Sequence, residues 1–297
     1  MILLKKFVNK ILPKRAREAY TYYKYCRKWV SPRPTSDAEY FIPQRMIGHA
    51  GYDMQTSEQL QRLTLWRNND YQSLFRAIRN DSLINVPFAR GDYRNKPALH
   101  NSQFASPDAE VYAAMIQDIK PKRIVEVGSG YSTLIARKAI EHGKLDTKLV
   151  AIDPQPRTEV AHVVDEIIRS FVEDTDISTF DWPTPSILFI DSSHVCRARG
   201  DIPKLFCELV PKLPPGVVVH VHDIFLPYEY PTNIDSLLWT EQYTLAALLS
   251  GSPKYKVAFT SHFMSRQHPQ EMQAAFGPLV GQDPLLFGGS FWFSVQA

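Results

Sequence analysis

Apolar and polar positions change register along the chain. Leu4, Phe7, Val8, Ile11 and Leu12 recur at helical spacing with Lys5, Lys6 and Lys10 opposite, and Pro13 ends the run. Ala16, Ala19, Tyr20 and Tyr23 continue that spacing, so residues 1–34 read as a basic amphipathic helical segment. The proline-rich stretch 31–36 reads as a linker, and residues 35–100 as a helical and irregular cover, with helices expected from Thr56 to Arg67 and from Asp70 to Arg79. A further helix is expected to start at Ser106-Pro107-Asp108, its stripe formed by Tyr112, Met115, Ile116 and Ile119. Beyond it, short apolar runs rich in β-branched residues alternate with stretches of helical spacing. Strands are expected at 123–127, 148–153, 169–173, 186–191, 216–222, 255–259 and 290–295, and helices at 131–141, 158–168, 201–210 and 236–249. That alternation is the signature of an α/β domain, residues 101–297, with a mostly parallel sheet covered on both faces.

Composition changes this picture in two ways. No run approaches the roughly 18 apolar residues that a membrane span requires, and Cys26, Cys196 and Cys207 have no C-x-x-C spacing, so neither a disulfide framework nor a zinc site is indicated. A cytoplasmic protein is the expectation. The net charge of +3 hides an asymmetry, because residues 1–34 hold ten basic side chains against Glu18 alone. Residues 1–30 therefore read as an arm that docks on an anionic membrane surface or a protein partner, or that packs on the α/β domain. Without a recognisable binding module, nucleic acid is not an expected partner.

The candidate chemistry gathers at the carboxyl ends of the strands, where open α/β sheets bind ligands. Arg123-Ile-Val-Glu126-Val-Gly128-Ser129-Gly130-Tyr-Ser132-Thr133 reads as strand, tight loop and helix. The two glycines let backbone N–H groups approach a ligand at the positive end of the helix. A dinucleotide fingerprint requires a third glycine where Thr133 stands, and no Gly-Lys-Ser/Thr of a P-loop follows. Glu126 beside the loop suits a cationic ligand better than a pyrophosphate. Asp153 stands where an acid accepts both ribose hydroxyls of a nucleoside, and Asp174 is placed near the adenine. Asp191 and Asp223 end neighbouring strands, and two carboxylates at one mouth call for a cation such as Mg²⁺. His222, next to Asp223, suits Mn²⁺, Fe²⁺ or Zn²⁺ better, or is left free to act as a base. His194 and His222 are the candidate general bases, while His220 is expected to face elsewhere. The aromatic, proline-rich stretch from Phe225 to Asn233 reads as a substrate lid.

These motifs resemble class I S-adenosylmethionine-dependent methyltransferases, whose first motif is E/D-x-G-x-G, and more specifically the type known as methyltransferase family 24. The resemblance continues through Phe189-Ile-Asp191-Ser-Ser-His194, the segment Val219 to Pro231, Trp239-Thr-Glu-Gln-Tyr243 and Gly288-Gly-Ser-Phe-Trp292, and covers about Asn101 to the C-terminus. It implies a Rossmann-like, seven-stranded, mostly parallel sheet with an antiparallel pair at one edge, to which this chain adds a helical N-terminal extension. It also implies S-adenosylmethionine as cofactor, held by Glu126, Gly128, Ser129, Gly130, Ser132, Asp153, Asp174 and Asp191. Methyl transfer to a small hydroxylated acceptor, sugar-like or phenolic, would then be served by His222, His194 and Asp191. A divalent metal, Mg²⁺ or Mn²⁺, would sit on Asp191, His222 and Asp223, although metal-dependent relatives carry an adjacent acidic pair where this chain has His222-Asp223. Two competing readings are a nicotinamide-dependent oxidoreductase and a non-catalytic nucleoside-binding scaffold with a docking arm.

Overall fold

In chain order the elements are α1 (Thr56–Leu65), α2 (Asn69–Arg79), α3 (Asp108–Ile119), β1 (Arg123–Val127), α4 (Tyr131–His142), β2 (Lys148–Ile152) and β3 (Glu166–Ile168). Then follow β4 (Ser186–Ile190), a helical run through Asp201–Pro203, Lys204–Leu209 and Val210–Lys212, β5 (Val217–Val221) and α5 (Glu241–Gly251). The last are β6 (Tyr255–Thr260), α6 (Ser261–Gln267), α7 (Pro269–Phe276) and β7 (Phe291–Val295). The computed structural model describes residues 51–86, 101, 103–156, 159–231, 237–277 and 288–297; the expected segment 1–34 and much of the cover at 35–100 lie outside these residues. Among the described residues no helix is long and apolar enough to cross a membrane.

The strands form one sheet in the order β3-β2-β1-β4-β5-β7-β6, parallel except for β7, which runs antiparallel between β5 and β6. This is a Rossmann-like layout with an antiparallel strand near one edge. Every side chain of β4 is buried, because helices cover both faces. On one face Ile124, Leu149, Ile187 and Phe189 pack against α1 to α4. On the other, Val125, Val127, Ile152, Leu188 and Ile190 pack against the helical run and α5. Each large apolar side chain so buried contributes ~1.5–3 kcal/mol. The sheet and its helices, α1 and α2 among them, lie in a compact unit of Arg45–Glu229 with Thr240–Ala297. Asp118 of α3 ties α1 and α2 down, accepting hydrogen bonds from Arg62, Trp66 and Tyr71.

Three expectations need correction. The stretch 159–165 forms turns instead of a helix, and β3 occupies Glu166–Ile168 instead of 169–173. Val160, Val163 and Val164 match helical spacing, but β-branched residues lose rotamer freedom in a helix, and Asp165 instead accepts the Leu149 N–H at 2.7 Å, starting a pairing with β2. The helix expected from 236 begins at Glu241, because the amides of Thr240 and Glu241 both donate to the His194 carbonyl, at 2.8 and 3.1 Å. Finally, Phe225, Leu226 and Tyr228 are buried, so the front of the expected lid belongs to the core, while 232–236 lies outside the described residues.

Candidate active site

The glycine loop is built from within the protein. Gly128 has φ +87°, a region L side chains rarely adopt, and a Cβ there would stand 1.9 Å from the Asp191 carbonyl oxygen. The end of β4 presses on the loop at this point, with the Asp191 amide donating to the Val127 carbonyl at 2.9 Å. Gly130 is different: nothing lies within 4 Å of where its Cβ would be. Its amide donates to Thr133 Oγ1 at 3.0 Å, and Thr133 Oγ1 in turn donates to Glu126 Oε2 at 2.5 Å. Tyr112 completes the carboxylate, donating to Oε1 at 2.9 Å. Thr133, which breaks the dinucleotide fingerprint, therefore braces the loop. Glu126 is fully buried with both oxygens engaged, so it acts on the loop by holding its shape.

Burial pushes the Glu126 carboxyl up to about 7, against hydrogen bonds from Thr133 and Tyr112 that pull it down and with the charges of Asp191 and Asp153 adding to the rise. Folding thus favours the protonated acid. Its contribution to stability is full below the ordinary value of 4.5 and is lost as the pH rises through 7. Glu126→Gln is expected to remove a loss of about 3 kcal/mol between those limits. Denaturant midpoints of both proteins across that range check this; parallel curves would contradict it.

Asp153, just past β2, accepts the amide and hydroxyl of Ser129 on Oδ2 at 2.8 and 2.9 Å, and the Gln155 amide on Oδ1 at 2.8 Å. Ser132 is buried in the first turn of α4, and Asp174 ends the short turn Val172–Asp174 beyond β3.

The remaining candidates come together where β4 and β5 end. Because Ile190 pairs with Val221, the next residues, Asp191 and His222, are neighbours, and the His222 amide donates to Ile190. Asp223 and His194 both have φ +59°, the left-handed turn that Asp and His tolerate better than most residues. A Cβ on Gly289 would come within 2.9 Å of the Asp223 Cα, so β7 can approach this turn only through glycine. His194 Nε2 lies 3.3 Å from Asp191 Oδ1 and 3.6 Å from Asp223 Oδ2. His222 Nδ1 lies 3.7 Å from Asp191 Oδ2 and 3.7 Å from Asp223 Oδ1. Asp191, His194 and Asp223 offer ligand atoms within 4.8 Å of one another, a set in which His194 stands where His222 was expected. His222 stands beside it.

Two acids that the sequence did not single out stand behind the imidazoles. Glu241 Oε2 accepts from His194 Nδ1 at 2.8 Å, and Asp108 Oδ2 accepts from His222 Nε2 at 3.2 Å. Asp108 also takes the amides of Gly289 and Ser290, at 2.7 and 3.0 Å, joining the start of α3 to β7. The signals were present: Asp108 marked a helix start, and Glu241 lies in Trp239-Thr-Glu-Gln-Tyr243. The rear acids are buried, with side chains 7% and 0% exposed, while Asp191 and Asp223 are 31% and 28% exposed.

Charge follows this layering. Burial opposes ionisation of Asp191, but hydrogen bonding and charge from His194 and His222 hold its carboxyl well below the usual carboxylate range. Burial and the charge of Asp191 hold Asp223 above its ordinary value despite the same imidazoles. Burial would lower both histidines, yet the surrounding carboxylates raise them well above their ordinary value.

His220 corrects another expectation. Residues two apart in a strand share a face, and its ring centroid lies 6.2 Å from that of His222. It is kept out of the cluster by its own contacts, stacking on Trp292 at 4.0 Å and bonding Ser290 Oγ at 2.8 Å.

Residues 125–224 match the family model described as a methyltransferase domain. This span runs from β1 to the turn after Asp223, and over it the chain is similar to that domain. An uncharacterized protein of Archaeoglobus fulgidus is 36% identical over 90 residues, which is 28% of this chain and 40% of that protein. The chain thus spans less than half the length of this relative. Among solved structures, the S-adenosylhomocysteine-bound methyltransferase PaMTH1 of Podospora anserina is 15% identical, with a TM-score of 0.41 over 97% of this chain and 99% of that one. An O-methyltransferase family 2 protein of Planctomyces limnophilus, in complex with apigenin, is 13% identical, with a TM-score of 0.35 over 63% and 58% of the two chains. These scores are low, and the functional reading rests on this chain's own residues.

Proposed function

We propose that the protein transfers the methyl group of S-adenosylmethionine to an oxygen of a small hydroxylated acceptor, sugar-like or phenolic. One observation carries the reading: the clear approach to Gly130 at the start of α4, with Asp153 on one side and the Asp191–Asp223 cluster on the other. The loop fits such a nucleoside, since a Cβ at 130 would fill the approach and Asp153 Oδ1 holds one amide, leaving acceptor capacity. S-Adenosylmethionine supplies an already activated methyl, so the protein's task is mainly positioning.

In this reading Gly128, Ser129, Gly130, Ser132 and Asp153 hold the nucleoside, Asp174 borders it, and Glu126 keeps the loop in shape. Asp191, His194, His222 and Asp223 orient the acceptor hydroxyl, and a metal-free imidazole among them takes its proton; a divalent cation held by these side chains would instead supply Lewis-acid activation of that hydroxyl. The half-exposed Asp191 and Asp223 face the acceptor, and Glu241 and Asp108 keep the imidazoles in place. Calorimetric titration tests the proposal: S-adenosylhomocysteine is expected to bind and NAD⁺ is not. Residues 1–30 are proposed as a peripheral docking arm.

A further inference from the structure

The donor atoms of the cluster form an alternating ring. Asp191 turns Oδ1 toward His194 and Oδ2 toward His222, and Asp223 turns Oδ2 toward His194 and Oδ1 toward His222, at 3.3 to 3.7 Å. Each imidazole has its outer nitrogen occupied, because a carboxylate only accepts: His194 Nδ1–H donates to Glu241 and His222 Nε2–H donates to Asp108. That fixes the inner nitrogens as the metal-binding lone pairs when the rings are neutral. His222 Nδ1 is buried, has no hydrogen-bond partner and points into the ring. An unpaired buried nitrogen of this kind requires an explanation.

We propose that this ring binds a borderline divalent transition ion of the manganese-to-zinc series in preference to Mg²⁺, through His194, His222, Asp191 and Asp223, with Glu241 and Asp108 as positioning residues. The inference deepens the reading above by naming its cation. Bonds of ~2.0–2.1 Å in a tetrahedron put donors roughly 3.4 Å apart; one ligand atom each of Asp191, His194 and Asp223 lies within 4.8 Å of the others, and His222 Nδ1 stands 3.7 Å from an oxygen of each aspartate. A Mg²⁺ octahedron draws its donors to about 2.9 Å and asks for oxygen almost throughout. Two imidazoles therefore tilt the site toward the transition series, whose affinity for nitrogen donors exceeds that of Mg²⁺. The same carboxylate–imidazole arrangement, present twice, removes the need to reorient either ring on binding.

The test uses full-length protein stripped with a chelator and titrated with Co²⁺, read by visible d–d absorption and by elemental analysis after gel filtration. A single tightly held ion, a spectrum of nitrogen ligation and affinity at least ~100-fold above that for Mg²⁺ are expected. His194→Ala and His222→Ala should each alter the spectrum. Glu241→Leu should weaken cobalt ~10–100-fold and shift the bands, with Glu241→Gln recovering part, since its amide oxygen still accepts Nδ1–H. Asp108→Asn should act likewise through His222. A purely structural role would lower the melting temperature and leave the bands unchanged. Absence of cobalt binding, equal affinity for Mg²⁺, or a spectrum indifferent to both histidine variants would overturn the inference. Titrating S-adenosylhomocysteine into the same samples keeps the two readings apart: nucleoside binding without cobalt sinks this one alone, and cobalt without nucleoside sinks the proposed methyl transfer.

Discussion

Asp191→Ala is expected to lower the rate of methyl transfer on the order of 10³-fold, while affinity for S-adenosylhomocysteine stays within about tenfold of the wild type. The split follows from the two parts of this residue. Its backbone supports the glycine loop, bonding Val127 and lying against Gly128, and an alanine keeps that support. Its carboxylate joins His194 to His222 at 3.3 and 3.7 Å, and stands closer to His194 than the parallel bridge from Asp223, at 3.6 and 3.7 Å. Steady-state kinetics with the acceptor, paired with calorimetry on the nucleoside, reads both quantities. Unimpaired turnover would remove the cluster from the chemistry, and lost nucleoside binding would make Asp191 mainly a cofactor residue.

The second large effect is on stability. Gly128→Ala brings a methyl group to 1.9 Å from a backbone oxygen, in a backbone conformation of φ +87°. Left-handed geometry costs an L residue ~1–2 kcal/mol, and because the neighbour is backbone at a buried strand end, relief requires moving β4 against β1. We expect a total of at least about 4 kcal/mol, a large part of the ~5–15 kcal/mol that keeps a domain folded. That corresponds to a fall of roughly 10 °C in melting temperature. Gly130→Ala is the matched control, with nothing within 4 Å of the added atom. It should melt near the wild type but bind the nucleoside at least ~10-fold more weakly. If the two variants melt together, the loop is not braced by β4 as described.

Most of the architecture was legible because period and length carry it. Short β-branched runs such as Ile187–Ile190 are buried on both sides and read clearly as central strands. The pattern failed at 158–173, where Val160, Val163 and Val164 fit a helical stripe as well as a turn. There the decision came from a tertiary contact, Asp165 to the Leu149 amide, that no local pattern holds. Within the site, the residues at strand ends were legible because topology places them at one mouth. Asp108 and Glu241 were not, since each lies far along the chain from the histidine it holds, 114 and 47 residues away. Thr133 showed the opposite fault: its mismatch to a dinucleotide motif was visible, but its bond to Glu126 was not.

The central claim is that the loop between β1 and α4 receives a sulfonium nucleoside. Calorimetric titration of the purified chain with S-adenosylhomocysteine and, separately, with NAD⁺ tests it most directly. The account predicts saturable binding of the first, weakened by Gly130→Ala, and no heat from the second. Binding of NAD⁺ in its place, or silence from both, would contradict it.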